Sequence, residues 1–231
     1  SGPIAFFSGH ACAYVPTWAQ ACDHLEVQMP PMQSWGTKYI SAPMGDGGIN
    51  GSNMVRVIAA FPNTSVTISP SQGGNSGGTL SPGAFIEFEA SSPFLVSGNN
   101  AIMVTQYLRG QHASDPPGNR GDPAMTVLVP SEQYRSDYTF ILPSSYNSAS
   151  NGQNYIMVVR PPGAEIIVDN APTSASWQSI GDKEIAIIPL DGGTHTIVGD
   201  QPFGLTAYGL GSFTSYATPA GLDFKPITVI D

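Results

Sequence analysis

The glycine-rich segment GGNSGG, residues 73–78, places a serine in a setting that serine hydrolases use around a nucleophile. Such a serine needs a histidine base within hydrogen-bond reach of its hydroxyl. Ser76 falls in the first third of the chain, and no histidine stands in the sequence context that such a base requires. Glycines also supply the backbone conformations of tight turns, so we interpret 73–78 as a hairpin tip. A hydrolase remains a remote alternative.

The four histidines, His10, His24, His112 and His195, lack the spacing of a metal site. Asp23 directly precedes His24 and would suit an acid–base pair, but no nucleophile accompanies the two residues. We therefore expect a protein that is not an enzyme and that carries no metal or cofactor.

The two cysteines, Cys12 and Cys22, stand in a short segment with no second pair to complete a zinc site. Two free thiols in a cytosolic protein are one interpretation. A disulfide in an exported protein agrees better with the loop-rich composition, and it would constrain the unfolded chain by roughly 2–3 kcal/mol. We predict the disulfide and, with it, a secreted or cell-surface protein.

Composition and charge exclude several classes of partner. The net charge is −9, whereas nucleic acids and anionic membranes select basic surfaces, so we expect no nucleic acid as partner. No apolar run approaches the roughly 20 residues of a membrane span, so we expect no membrane insertion. With 26 glycines and 21 prolines, the chain favours short strands and turns over helices.

Strand-like runs rich in β-branched and aromatic residues recur along the chain, each bounded by Gly, Pro, Asn or Asp. In 85–89 the apolar residues Ile86 and Phe88 alternate with Glu87 and Glu89, which predicts a strand with one buried face. No window shows a helical period. The sequence predicts an all-β fold built from antiparallel sandwich or jelly-roll-like units.

Comparing the chain with itself reveals a tandem duplication. QSWGTKYISAP matches QYRSDYTFILP, and VSGNNAIMVTQYLRG matches VGDQPFGLTAYGLG, at offsets of 99 to 101 residues. SGPIAFFSGH also resembles the last strand of each repeat, so the chain is expected to open with the end of an earlier copy. The predicted divisions are a terminal strand with a disulfide junction, 1–22, two β repeats, 23–121 and 122–221, and a C-terminal strand or linker, 222–231.

Three inter-repeat junctions follow from this division, 10–22, 110–122 and 211–223. Aromatic residues on such loops are a common means of binding sugar or protein, and covering the seam between repeats is the alternative role. The second junction contains the tripeptide Arg-Gly-Asp at 120–122, which integrin ligands also use, although Asp122 is better explained as a turn residue. The predicted ligand-binding residues are His10, Tyr14, Trp18, His112, Arg120, Phe213 and Tyr216.

Several segments together resemble the IgGFc-binding protein N-terminal domain family. They span most of the chain in order, and the combination of CDHL with GDPAM and EQYRSDYTF is specific. The matching segments are GPIAFFSGHACAYVP, ACDHLEVQMPPMQSWGTKYISAP, AIMVTQYLRG, GDPAMTVLVPSEQYRSDYTF and GTHTIVGDQPFGLTAYGLGSFTSYATPAG.

The resemblance implies an extracellular binding or adhesion module, of a type that also occurs in large bacterial surface proteins. It transfers no ligand-contacting residues to this chain, and Fc binding is not inherited from the name. We expect the partner to be a host or prey cell-surface glycan or glycoprotein. A structural spacer, or an oligomerising tip of a fibre that would be a homotrimer, is the alternative.

Overall fold

The computed structural model describes residues 4–46, 51–113, 120–144 and 152–227. Antiparallel strands dominate its regular structure, so the prediction of an all-β antiparallel sandwich fold is confirmed. We call strands β3–β10 the first half and β11–β18 the second half, and the hairpin β1–β2 precedes both.

The strands of the N-terminal hairpin and first half are β1 Phe7–Ala13, β2 Asp23–Gln28, β3 Lys38–Ser41, β4 Asn53–Ala59, β5 Thr64–Gln72, β6 Asn75–Leu80, β7 Phe85–Ala90, β8 Phe94–Gly98, β9 Ile102–Leu108 and β10 Ala124–Val127. Those of the second half are β11 Arg135–Leu142, β12 Gln153–Arg160, β13 Ile166–Val168, β14 Ala171–Pro172, β15 Gln178–Ile180, β16 Lys183–Leu190, β17 Gly193–Gly211 and β18 Thr214–Pro219. Short 3-10 turns cover Met32–Ser34, Gln111–Ala113 and Ser131–Gln133.

The first half packs two sheets of strand order β10–β9–β4–β7 and β3–β8–β5–β6. Val55 and Val57 point inward from β4, because alternate residues of a strand share one face, and both are fully buried. They share one core with Phe94 and Val96 of β8. The apolar alternation of the sequence thus becomes the inner layer of a sandwich.

The second half uses one long strand, β17, in both of its layers. The first part of β17 pairs with β11 and β13, and its second part lies between β12 and β18. Ile156 and Val158 of β12 pack inward with Phe203 and Leu205 of β17. The second core is therefore built from the same alternation as the first.

The two halves correspond strand by strand. β4 lies between β7 and β9, and β12 lies between β16 and β17. Tyr39 donates to the carbonyl of Ile102 at 2.7 Å, and Tyr138 donates to that of Phe203 at 2.6 Å. This correspondence supports the division into repeats 23–121 and 122–221, which stays a prediction.

A buried seam joins the two halves. The outer face of β12 and β17 contributes Tyr155, Met157 and Tyr208, which pack with Ile40 and Met44 near β3. The rings of Tyr155 and Tyr208 stack with centroids 5.1 Å apart. The outer face of this sheet is thus as apolar as its inner face.

Three hairpins lie at the predicted junctions, namely β1–β2, β9–β10 and β17–β18. The prediction of a loop over 211–223 is wrong, because Thr214–Pro219 pairs with β17 as strand β18. This segment contains β-branched and aromatic residues, which favour strands. The loop expected at 10–22 likewise starts inside β1. Beyond β18, residues 222–227 form no strand, and 228–231 lie outside the described residues, as do 1–3 of the predicted first division.

Candidate binding surface of the three hairpins

The first hairpin is closed by a disulfide between Cys12 and Cys22, which confirms the predicted pairing. Its connecting segment is held against the second junction, because the amide of Gly110 donates to the carbonyl of Val15 at 2.7 Å. Val15 and Ala19 are buried. The disulfide and this small anchor fix the hairpin in place.

Three of the predicted ligand-binding side chains belong to the first hairpin. His10 lies in β1, where its Nδ1 accepts a hydrogen bond from the amide of Cys12 at 3.1 Å. Tyr14 is 49% exposed and Trp18 is 71% exposed. The guanidinium carbon of Arg109 lies 5.8 Å from the centre of the Trp18 ring, within the range of a cation–π contact. Trp18 is therefore oriented by a cation and still presents most of its surface to solvent.

Arg120, in the second junction, has a structural partner. Its Nη1 lies 3.1 Å from Oδ1 of Asp46, and Tyr155 donates to the same oxygen at 2.6 Å. Because Tyr155 belongs to the seam, Arg120 ties the second junction to the contact between the halves. Nothing in the sequence pattern indicated this ion pair, whose members lie far apart in the chain.

Asp122 ends the Arg-Gly-Asp tripeptide and is only 8% exposed, so it is not presented to a receptor. Its Oδ1 has no hydrogen-bond partner among the described residues. Burial, reinforced by the negative charge of Asp23, raises the pKa of Asp122 to about 6, and positive charge on His112 acts in the opposite direction. His112 itself is exposed, while residues 114–119 of the predicted loop lie outside the described residues.

The third hairpin carries Phe213 and Tyr216. Phe213 occupies the turn with a φ of 55° and is 65% exposed. Tyr216 lies in β18, where its hydroxyl donates to Oδ1 of Asn154 at 2.7 Å. Phe213 is thus free to contact a ligand, whereas Tyr216 helps to hold β18 on its sheet.

Backbone contacts connect the three hairpins in sequence. Gly110 links the second hairpin to the first, and the amide of Gly121 donates to the carbonyl of Gly211 at 2.7 Å to link it to the third. The hydroxyl of Ser215 also donates to the carbonyl of Asp122. The predicted residues Trp18 and Phe213 therefore lie on the first and third hairpins, with the second hairpin between them, and they do not converge on one pocket.

A cleft of about 420 Å³ lies between the first hairpin and the outer face of β4, β7 and β9. We call it the hairpin cleft. Two predicted residues, His10 and Tyr14, contribute to its wall. The opposite wall holds Arg56, Glu87 and Tyr107, which sequence reasoning did not select.

Arg56 is the centre of the opposite wall. Its Nη2 donates to Oε2 of Glu87 at 2.7 Å, and its Nε donates to the same oxygen at 3.1 Å. The guanidinium carbon lies 4.4 Å from the centre of the Phe85 ring and 5.8 Å from that of Tyr107. The polar–apolar alternation of β7 predicts only that Glu87 faces outward, and its pairing with Arg56 comes from the sheet register.

The remaining motifs have structural explanations. Gly73 and Gly74 adopt positive φ in the turn between β5 and β6, so the predicted hairpin tip is confirmed for these two residues, whereas residues 75–78 belong to strand β6. In the described part of the chain, Ser76 makes no hydrogen bond to a histidine. His195 uses both ring nitrogens, with Nδ1 2.7 Å from Oδ2 of Asp169 and Nε2 2.9 Å from the carbonyl of Asp191. Across the described ranges no three His, Cys, Asp or Glu side chains are grouped to hold a metal ion.

The sequence profile of the family described as IgGFc binding protein matches residues 1–209. The chain belongs to the IgGFc-binding protein family. It is 27% identical to the human IgGFc-binding protein over 236 residues, which cover 95% of this chain and 4% of that protein. The chain thus spans a small part of the length of this relative. No solved structure matches the chain, and in its described part no helix is both long and apolar enough to cross a membrane.

Proposed function

We propose that this member of the family is an extracellular, non-catalytic binding module that recognises carbohydrate or glycoprotein through its three hairpins. One observation carries the proposal, namely that large aromatic side chains stand exposed on the two outer members of a row of three connected hairpins. Tyr14, Trp18 and Phe213 are each about half exposed or more. Aromatic side chains of this kind provide large contact areas with sugars and proteins at low conformational cost.

The surroundings of these aromatics favour a preformed surface. The Cys12–Cys22 disulfide restrains the first hairpin, and hydrogen bonds from Gly110 and Gly121 hold the hairpins against one another. A restrained surface loses less conformational entropy on binding than a flexible loop does. The disulfide also supports a secreted or cell-surface location.

A glycan and glycoprotein array tests the proposal, with immunoglobulin Fc and its deglycosylated form included because the human relative is named for Fc binding. We expect binding to at least one glycan or glycoprotein, and loss of most of it in Trp18→Ala or Phe213→Ala. Ile141→Ala is the matched control, because Ile141 is 75% exposed on β11, outside the hairpins. Equal binding by all variants would contradict a role for the hairpins.

A structural spacer or oligomerising unit is the second candidate. Ile4 and Phe6, which precede β1, and Phe7, which begins it, are exposed apolar residues, and among the described strands β1 pairs with β2 alone. Such residues suit a contact with another protein segment. An array with no binding at all, together with a concentration-dependent mass in light scattering, would favour this function over ligand recognition.

A further inference from the structure

We propose that the hairpin cleft is a binding site for a neutral saccharide, held by the Arg56–Glu87 pair and by Tyr14. This inference rests on the proposed binding function and assigns a site and a ligand class to it. At about 420 Å³ the cleft falls within the usual size range of small-ligand sites.

The wall of the hairpin cleft differs from the corresponding surface of the second half, which packs against another sheet. Met54 lies opposite Tyr107, and Tyr155 lies opposite Tyr208, so these pairs occupy corresponding positions. Two residues further along, Arg56 stands opposite Glu87 in the first half. The second half has Met157 opposite Ile187 at that place, and both pack in the seam. A surface meant for another sandwich would be expected to carry apolar residues as the seam does, whereas this one carries a charged pair.

The Arg56–Glu87 pair still has capacity to bind a ligand. Both hydrogen bonds of the guanidinium end on Oε2 of Glu87, which leaves Oε1 of Glu87 and Nη1 of Arg56 without a hydrogen-bond partner among the described residues. The two side chains are 37% and 42% exposed. A donor and an acceptor held side by side match neighbouring sugar hydroxyls, each of which both donates and accepts.

The rest of the hairpin cleft fits the two faces of a sugar ring. Leu25, Met54 and Met125 provide an apolar floor, while Tyr14 projects an exposed ring from the first hairpin. Because Nδ1 of His10 accepts from the amide of Cys12, the neutral imidazole carries its proton on Nε2, where it is a donor. An apolar floor with a few placed polar groups is the usual composition of a ligand site.

Charge selects a neutral ligand. The positive charge of Arg56 is compensated by Glu87, so an anionic sugar would have to displace that carboxylate or lie beside it. The chain as a whole carries a net charge of −9, which further disfavours acidic ligands. A neutral saccharide neither has to displace the carboxylate of Glu87 nor is repelled by the negative charge of the protein.

The test titrates the intact 231-residue chain with neutral, sialylated and sulfated oligosaccharides in a calorimeter. We expect binding of at least one neutral sugar, weakened by at least about tenfold in Arg56→Met, in Glu87→Gln and in Tyr14→Ala. Arg135→Met and Asp137→Asn are matched controls, because these residues form an exposed arginine–carboxylate pair outside the hairpin cleft. The controls should bind as the unchanged chain does.

Other outcomes overturn the inference, and they separate it from the proposed function. Preference for anionic sugars with full binding by Glu87→Gln would reject the ligand class. Sugar binding that is lost in Trp18→Ala or Phe213→Ala but kept in the three cleft variants would move the site to the hairpin tips and leave the proposed function intact. Binding of a deglycosylated protein with no response to any sugar would also reject the saccharide site, and would leave protein recognition in place.

Discussion

The outer faces of β4 and β12 occupy the same place in their sheets, yet one is open and the other is sealed. Arg56 of β4 has a side chain that is 37% exposed and pairs with Glu87. Met157 of β12 is 2% exposed and packs in the seam. The inner faces of the two strands, by contrast, are equally apolar and equally buried.

This difference separates the residues that make the fold from those free to make a function. Val55 and Val57 in the first half, and Ile156 and Val158 in the second, face closed cores where any polar side chain would be costly. On the outer face, the choice of side chain is constrained only by the segment that packs over it. In the second half it is covered by β3, and in the first half by a disulfide-closed hairpin that leaves a cleft.

Exchanging the two outer residues is the most severe test of this comparison. Met157→Arg would place an unpaired charge in the seam, and we expect it to lower the free energy of unfolding by about 3–5 kcal/mol or to prevent folding. Arg56→Met loses an exposed ion pair and should change the stability by about 1 kcal/mol or less. Urea unfolding followed by circular dichroism measures both changes. A cost below about 1 kcal/mol for Met157→Arg would show that the seam admits water.

Removing the disulfide tests whether the first hairpin is an independent cover. Replacing Cys12 and Cys22 by serine should lower the stability of the hairpin by about 2–3 kcal/mol, because the unfolded segment regains the freedom that the bond removes. Amide hydrogen exchange should then accelerate in β1 and β2 and stay unchanged in β12.

Treating the serine variant with a reductant provides the control, since no bond is left to reduce. Equal loss of protection in β12 would mean that the hairpin and the second half unfold as one unit. The first hairpin would then not be a cover that unfolds separately from the core of the second half.

Asp122 gives the smallest expected effect and tests the contact between the first two hairpins. Because its pKa in the folded protein is raised to about 6, the folded state holds this proton more tightly than the unfolded chain does. Lowering the pH from about 7 to about 4.5 should therefore stabilise the protein relative to Asp122→Asn, by about 1 kcal/mol after solvent screening. The relative gain is lost again as the pH rises through about 6.

Thermal melts of the unchanged chain and of Asp122→Asn across this pH range measure the difference. Comparing the two cancels the titration of carboxylates elsewhere, such as Asp182, whose pKa Lys38 lowers to about 2. If the melting temperatures of the two proteins change in parallel with pH, Asp122 keeps its ordinary pKa and Asp23 does not influence it.

Much of the fold could be predicted because its signals are local. The alternation in 85–89 identified a strand, and Gly73 and Gly74 identified a turn. The disulfide was predictable because Cys12 has a single partner to choose. Segment matches alone were enough to recognise the family.

The candidate site was predictable only in part. His10 and Tyr14 were selected because they stand near a junction, and they do line the hairpin cleft. Arg56 and Glu87 were not selected, since nothing local distinguishes them from solvated charges on an exposed face. Arg120 was selected for a ligand, but it pairs with Asp46 across the seam.

The sequence by itself determined which residues face inward, where the chain turns and which cysteines join, because each of these depends on neighbours within a strand or a short loop. Tertiary structure alone decided which outer face is buried and which remains open. Arg56 and Met157 hold matching positions in matching strands, and only the elements that cover them differ. Burial and pairing of this kind depend on segments far apart in the chain, and such contacts leave no periodic trace in the sequence.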